Sequence, residues 1–390
     1  MPVPEQPPGV EIEEVGGHII TGVPTAICAF VGSCAQGPVE DPVRVTSYPE
    51  FEGTFGGLSS DSGLGYAVQD FFANGGDSAI ILRLVAEDGV LTETDYVGAG
   101  FEDADKGIYA LAKVAFFTLL CLPPPVPGGD LPRNVWKAAL TYCVRRRAFL
   151  IVDPPGAATA NTVQHWPADQ ALTGDAARNG AVYFPRIRRS DPLRNRATGD
   201  FAASGAVAGM IARTDAERGV WKAPANTELA GVTGLSVTLT DAQNGPLSAS
   251  GINCLRTFPG RGPVVWGART LAGTDALHDE FKYIPVRRLA LYIEESVYRG
   301  TQWVVFEPND EPLWAQIHLT VRAFMHSLFR QGAFPGNTDN AAYLVHCGRD
   351  TMTQDDIDHG IVNIMVAFAP VRPSEFVMIR IQQRAAPPAG

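Results

Sequence analysis

A serine ahead of a run of small residues, Ala203-Ser204-Gly205-Ala206, is the first place in this chain where covalent chemistry might be sought. A hydrolase using Ser204 would need a base and an orienting acid beside it. The G-x-S-x-G turn that presents such a nucleophile is missing, and no His and Asp stand in a partner context. Ser204 as a helix cap or packing residue accounts for the same run. Asp355-Asp356-Ile357-Asp358-His359-Gly360 concentrates acid, but lacks the alternating carboxylates and terminal Glu of a calcium loop. After Thr353, these acids suit the start of a turn or short helix, where the dipole favours negative charge. His165, His278, His318, His326, His346 and His359 form neither H-x-x-x-H nor H-E-x-x-H, which argues against zinc. The pairs Gly56-Gly57, Gly75-Gly76 and Gly128-Gly129 match no phosphate-binding loop. Glu295 and Arg299 have the i,i+4 spacing of a surface ion pair. The expectation is a chain with no catalytic residue, no metal ligand and no cofactor.

One pattern goes further. Over 311–330, His318, Arg322, His326 and Arg330 recur every four residues, a drifting stripe beside the apolar face of a helix. In an acidic protein such a ridge can be a dock for an acidic partner or a solvated face.

Composition limits the setting. The 390 residues suffice for two or more domains, and 45% hydrophobic content supports a large core. Charged residues make up only 19%, against the roughly 25% usual in soluble domains. A thinly charged surface on a long chain implies burial against other subunits. The net charge of −11 disfavours nucleic acid as a partner. Six scattered cysteines without C-x-x-C spacing read as free, mostly buried thiols of a reducing compartment. No Sec-type leader pattern and no apolar run of membrane-spanning length is present, so no stable membrane insertion is expected.

The elements fall into two styles. Residues 1–24 read as an extended arm, and 25–110 as a first segment with strands near 27–32 and 78–84, a helix over 63–74 and a loop or insertion at 86–108. Residues 111–253 alternate strand and helix: strands at 114–122, 148–152 and 181–185, helices at 132–146, 167–178 and 202–213, then a turn-rich stretch from 223. That alternation predicts a doubly wound parallel α/β layer. Residues 254–373 predict an α+β module: strands at 254–258 and 263–271, an amphipathic helix at 286–299, a strand at 301–306, a long helix at 311–330, and strands at 343–347 and 361–368. A last strand and tail occupy 374–390.

Both ends carry strand patterns with no obvious hairpin partner beside them: Val10-Glu11-Ile12-Glu13-Glu14-Val15 and Phe376-Val377-Met378-Ile379-Arg380-Ile381. Such strands can complete their own sheet or be handed to a neighbour, and the second choice makes a polymer.

With these patterns in place, the chain resembles the sheath subunits of contractile phage tails, bacteriocins and injection systems. The likeness rests on Pro8-Gly9-Val10, Thr21-Gly22-Val23-Pro24-Thr25, Ala29-Phe30-Val31-Gly32, Phe71-Phe72-Ala73-Asn74-Gly75-Gly76, Arg287-Arg288-Leu289, Phe306-Glu307-Pro308-Asn309, Phe329-Arg330-Gln331-Gly332-Ala333-Phe334 and Phe368-Ala369-Pro370. The resemblance implies a structural, non-enzymatic protomer, with a central domain subtilisin-like in fold only and a C-terminal α+β sheath domain. It implies stacked hexameric rings around an inner tube protein, terminal strands that augment neighbouring sheets, and contraction that drives the tube through a target envelope. Baseplate and tail-terminator or cap proteins follow as partners, with assembly in the bacterial cytoplasm into a phage tail or released particle. Under it, the stripe of His318, Arg322, His326 and Arg330 becomes an inner-tube contact. A different self-assembling shell and the Ser204 hydrolase are the competing readings.

Overall fold

A computed structural model of the chain describes residues 18–86, 89–371 and 377–384, the last by backbone only. The expected N-terminal arm strand 10–15 and Phe376 lie outside these residues. The strands are β1 Cys28–Ser33, β2 Val43–Val45, β3 Ala79–Leu84, β4 Leu119–Cys121, β5 Phe149–Val152, β6 Gly180–Phe184, β7 Ile187–Ser190, β8 Thr198–Phe201, β9 Thr227–Glu228, β10 Gly234–Leu235, β11 Ile252–Thr257, β12 Pro263–Trp266, β13 Tyr343–His346, β14 Ile361–Phe368 and β15 Val377–Arg384. The helices are α1 Tyr48–Phe55, α2 Leu64–Ala73, α3 Glu93–Val97, α4 Val135–Arg145, α5 Ala160–Val163, α6 Trp166–Asp169, α7 Ser204–Arg218, α8 Asp241–Ala249, α9 Ile284–Gly300, α10 Glu311–Arg330, α11 Asp339–Ala342 and α12 Gln354–Asp358.

Nine strands form one sheet in the order β2-β3-β1-β4-β5-β6-β11-β12-β9. The run from β3 to β11 is parallel, and β2, β12 and β9 close its margins antiparallel. A parallel sheet buried on both faces needs apolar residues at every position, and β5, Phe-Leu-Ile-Val, is fully buried. Successive side chains serve opposite layers: Ala29 and Val31 pack with α4 and α8, whereas Cys28 and Phe30 pack with α1, α2 and α7. The helices thus cover both faces, as a doubly wound sheet requires. The sheet takes strands from three of the expected segments and runs through the anticipated divisions near 110 and 253.

Helix α7 shows why its sequence is so poor in large side chains. It lies against α2, and a Cβ on Gly205 would stand 2.2 Å from the carbonyl oxygen of Ala67. A Cβ on Gly209 would stand 2.2 Å from that of Phe71. Glycine four residues apart on one face is what allows this backbone approach. Buried Asp70 on α2 pairs with buried Arg189 on β7, tying the small β10-β7-β8 sheet to the same layer.

The C-terminal module packs α9 and α10 on the antiparallel sheet β13-β14-β15. Val286, Leu289, Ile293 and Val297 of α9 meet Trp314, Ile317, Val321 and Met325 of α10 in one core. A bidentate fork joins this module to the large sheet. Arg288 Nη1 and Nη2 donate to Asp215 of α7 at 2.8 and 2.6 Å, and Nη2 also donates to the carbonyl of Thr25 at 2.9 Å.

Several expectations are corrected. Residues 301–306 are not a strand: Gln302–Val304 is a 3-10 turn and Phe306 has φ 81°, which reverses the chain. Of 114–122 only β4 is extended, because Gly107–Lys113 coils into a 3-10 helix first. The stretch 86–108 holds α3, stapled by a Thr92–Asp95 capping box over buried Tyr96. The helix expected at 167–178 is broken into α6 and a 3-10 turn at Asp175–Asn179, with Ala171 and Gly174 at positive φ between them. The turn-rich stretch from 223 contains α8, started by a Thr240–Gln243 capping box. Glu295 is buried and bonds both Arg299 and Arg147, so its ion pair is not a surface one.

Gly209→Val should force α2 and α7 apart and cost about 1–3 kcal/mol or more, since overpacking a close contact forces backbone shifts. Urea denaturation at one pH measures it, and a loss below about 0.5 kcal/mol would show that the contact can give way.

Candidate functional site

The residues first in line for chemistry take part in helix capping and packing. Ser204 opens α7 with no exposed surface. Its backbone N–H donates to Asp153 Oδ1 at 3.0 Å, and that of Ala203 to the same oxygen at 2.9 Å. Asp153 therefore caps α7 from the end of β5, filling the place where a substrate anion would lie. Burial raises the carboxyl of Asp153, opposed by the Ser204 side chain, by Arg186 and by those N–H groups.

The acidic cluster is structural. Thr353 caps α12, accepting from the N–H of Asp356 at 3.1 Å, while the Asp356 carboxylate accepts from the N–H of Thr353 at 2.9 Å. His359 follows this helix, and its imidazole is held above the ordinary value by Asp355. Among the described residues, no group of three His, Cys, Asp or Glu could hold a metal ion. None of the described helices is long and apolar enough to cross a membrane. All six cysteines are free; Cys28, Cys121, Cys143 and Cys254 are buried, and Cys34 and Cys347 are half-buried.

The basic stripe is real as a surface. Helix α10 starts at the Asp310 cap, whose carboxylate accepts from Leu313 N–H at 3.1 Å, and runs its apolar face into the module core. That fixes the opposite face outward: Arg322, His326 and Arg330 are exposed, and His318 is half-buried. Leu319, 66% exposed, lies among them. Asp339 of α11 offsets part of the charge, standing 3.5 Å from Arg322 and 4.0 Å from His326. Among the described residues, Arg330 has no carboxylate partner.

Residues 18–23 and β15 meet the body at one place. Ile20 packs against Gly300, His18 stacks on Trp303 at 3.9 Å, and the N–H of Val23 donates to Ser296 at 3.1 Å. β15 runs beside α9 and the 302–304 turn as well. It pairs antiparallel with β14 over its whole length, from Phe368 opposite Val377 to Ile361 opposite Arg384. The expectation that the last strand lacks a hairpin partner is therefore corrected: within this chain β14 is that partner. Among the described residues, the outer edges of β13 and β15 carry no further strand.

Three features escaped sequence reasoning. The Arg288 fork shows only as a cation on the otherwise apolar face of α9. The glycine spacing in α7 signals close packing but not against what. Phe306 sits in an apolar run that reads as a strand, although Pro308 two residues on hints at a turn.

Ser204 is buried at a capped helix start, and among the described residues the outer edges of β13 and β15 are open. Residues 98–271 match the phage tail sheath protein central domain, and 278–384 the phage tail sheath C-terminal domain. The helical sheath of the anti-feeding prophage, solved in its contracted state, is 31% identical, covers 97% of this chain and 99% of its own, and superposes with a TM-score of 0.74. The sheath of the PVC extracellular contractile injection system, also contracted, is 29% identical with 98% of both chains covered and a TM-score of 0.73. A prophage major tail sheath protein of Pseudomonas aeruginosa (strain UCBPP-PA14) is 24% identical over 264 residues, 66% of this chain and 63% of that protein. The chain spans smaller shares, 30 and 44%, of two other curated tail sheath relatives. The chain belongs to the contractile tail sheath family.

Proposed function

We propose that this chain is the protomer of a contractile sheath, stacked as hexameric rings around an inner tube and contracting to drive that tube through a target envelope. The observation that carries this reading is the C-terminal sheet, in which, among the described residues, the outer edges of β13 and β15 carry no further strand, beside the place where residues 18–23 meet the body. A strand that closes its own sheet in one copy can close a neighbour's sheet in the same register, which is how domain exchange links subunits. Val377, Met378, Ile379, Arg380 and Ile381, with Phe376 before them, form the C-terminal arm. Val10, Glu11, Ile12, Glu13, Glu14 and Val15 form the N-terminal one and add to an open edge on another copy. Each backbone hydrogen bond contributes about 0.5–1.5 kcal/mol net, so an arm of several pairs holds subunits together while their bodies move.

The tube must be released, so its contact is weaker and more polar. His318, Arg322, His326 and Arg330 offer that contact. Baseplate and tail-terminator or cap proteins bound the polymer, which assembles in the bacterial cytoplasm and acts as part of a phage tail or released particle. Wrapping a tube, and not enclosing a shell, suits a chain that resembles contracted helical sheaths over nearly its full length.

Removing residues 1–15 should leave a folded monomer, with an unchanged circular dichroism spectrum and melting temperature, that no longer sediments as polymer. Normal filaments from this truncation would refute the N-terminal arm. Arg322→Glu should weaken co-sedimentation with tube protein about tenfold while sheath polymer forms as before. Unchanged tube binding would reduce the stripe to a solvated face.

A further inference from the structure

The residue with least local reason to be where it is is Phe306. The N–H of Glu307 donates to the carbonyl of Val304 at 3.1 Å, closing a four-residue turn. Val305 has φ −64° and ψ 123°, and Phe306 has φ 81°, the angles of a type II turn with Phe306 in its third position. That position favours glycine or asparagine, and a bulky aromatic there is strained. Among the described residues the ring gains little in return, since Phe306 is 85% exposed. The turn itself is firmly held: Val304 is buried, and the Asn309 carboxamide accepts from Trp314 Nε1 at 2.7 Å. Acids follow on the exposed side at Glu307, Asp310 and Glu311.

A receptacle of matching character lies elsewhere on the surface. A cleft of about 500 Å³ opens between the large sheet and α9, lined by Trp221, Tyr283, Val286, Leu289, Pro370 and Val371. It is large enough for a phenyl ring with its flanking backbone. Exposed Lys222 stands at its rim, and Arg213 and Arg218 line the adjoining hollow together with Glu217. Beside the protruding ring Glu307 and Glu311 are exposed, Glu311 3.7 Å from Arg349, and the cleft meets cations at Lys222 on its rim and at Arg218 in the adjoining hollow.

We propose that Phe306 of one copy seats in this cleft of a second copy, with Glu307 and Glu311 against Lys222 and Arg218. A knob and a pocket at different places on one molecule make a head-to-tail contact that propagates instead of closing a dimer. The inference rests on the sheath reading and adds to it a body-to-body contact separate from the strand arms.

Two full-length variants test it. Phe306→Gly relieves the turn, so the monomer should melt at the same or a higher temperature. Yet the protein concentration needed for polymer should rise at least about tenfold, which a residue serving only its own fold would not produce. In the second experiment, Phe306→Cys and Val371→Cys chains are mixed, polymerised and mildly oxidised, with single variants as controls for the native thiols. A 306–371 disulfide between copies, found by peptide mapping in the sedimented polymer and not in dispersed chains, is the expected result. Wild-type polymer with no such crosslink, together with undiminished assembly of Phe306→Gly, overturns this contact alone. A crosslink from position 306 to tube protein also overturns it. Wild-type chains that never sediment overturn the sheath reading and this contact with it.

Discussion

The arrangement depends on the fork between Arg288, Asp215 and Thr25. Arg288 and Asp215 are both buried, so each charge is tolerable only because the other is there in bidentate register. The fork ties three parts that sequence separates by long distances: the entry to β1, the close-packed helix α7, and α9 of the C-terminal module. Through α7 it reaches α2 and the face of the large sheet. Through α9 it reaches the core shared with α10 and the sheet that ends in β15. Breaking one partner would leave a buried charge alone at the joint between the two halves of the molecule.

That joint matters because of where load would arrive. The first described residues and the last strand meet the body along α9: Ile20 and His18 near Gly300 and Trp303, and β15 along the helix side. In the proposed sheath, load on either arm would reach α9, which is held to the large sheet by a polar fork and an apolar core together. The joint between β5 and α7 in the α/β half is likewise closed by a polar contact. The end of β5, where a ligand would meet the start of α7, is filled by Asp153 serving as that helix's cap.

Much of this was legible in the residues. The 311–330 helix carries its apolar stripe and its basic stripe in plain sequence, and the near-continuous apolar run of 361–368 marks β14. The parallel layer showed through its strand–helix alternation. What stayed hidden was non-local. The strand Ile187–Ser190 reads Ile-Arg-Arg-Ser, and nothing local says that Arg189 is buried against Asp70, more than a hundred residues earlier. Residues 301–306 have every local mark of a strand, yet a turn places Phe306 at a backbone angle its side chain disfavours. Local propensity lost there to the geometry of the α9–α10 connection. The sequence also showed that the last strand exists, but not that β14 could receive it.

The central claim is that this chain alone carries the surfaces needed to build a tubular lattice. Negative-stain electron microscopy of the purified full-length protein tests it most directly. The account predicts hollow tubes or stacked cogwheel rings with a central channel, formed without added components. Dispersed monomers across all concentrations, or closed shells without an axial channel, would contradict it.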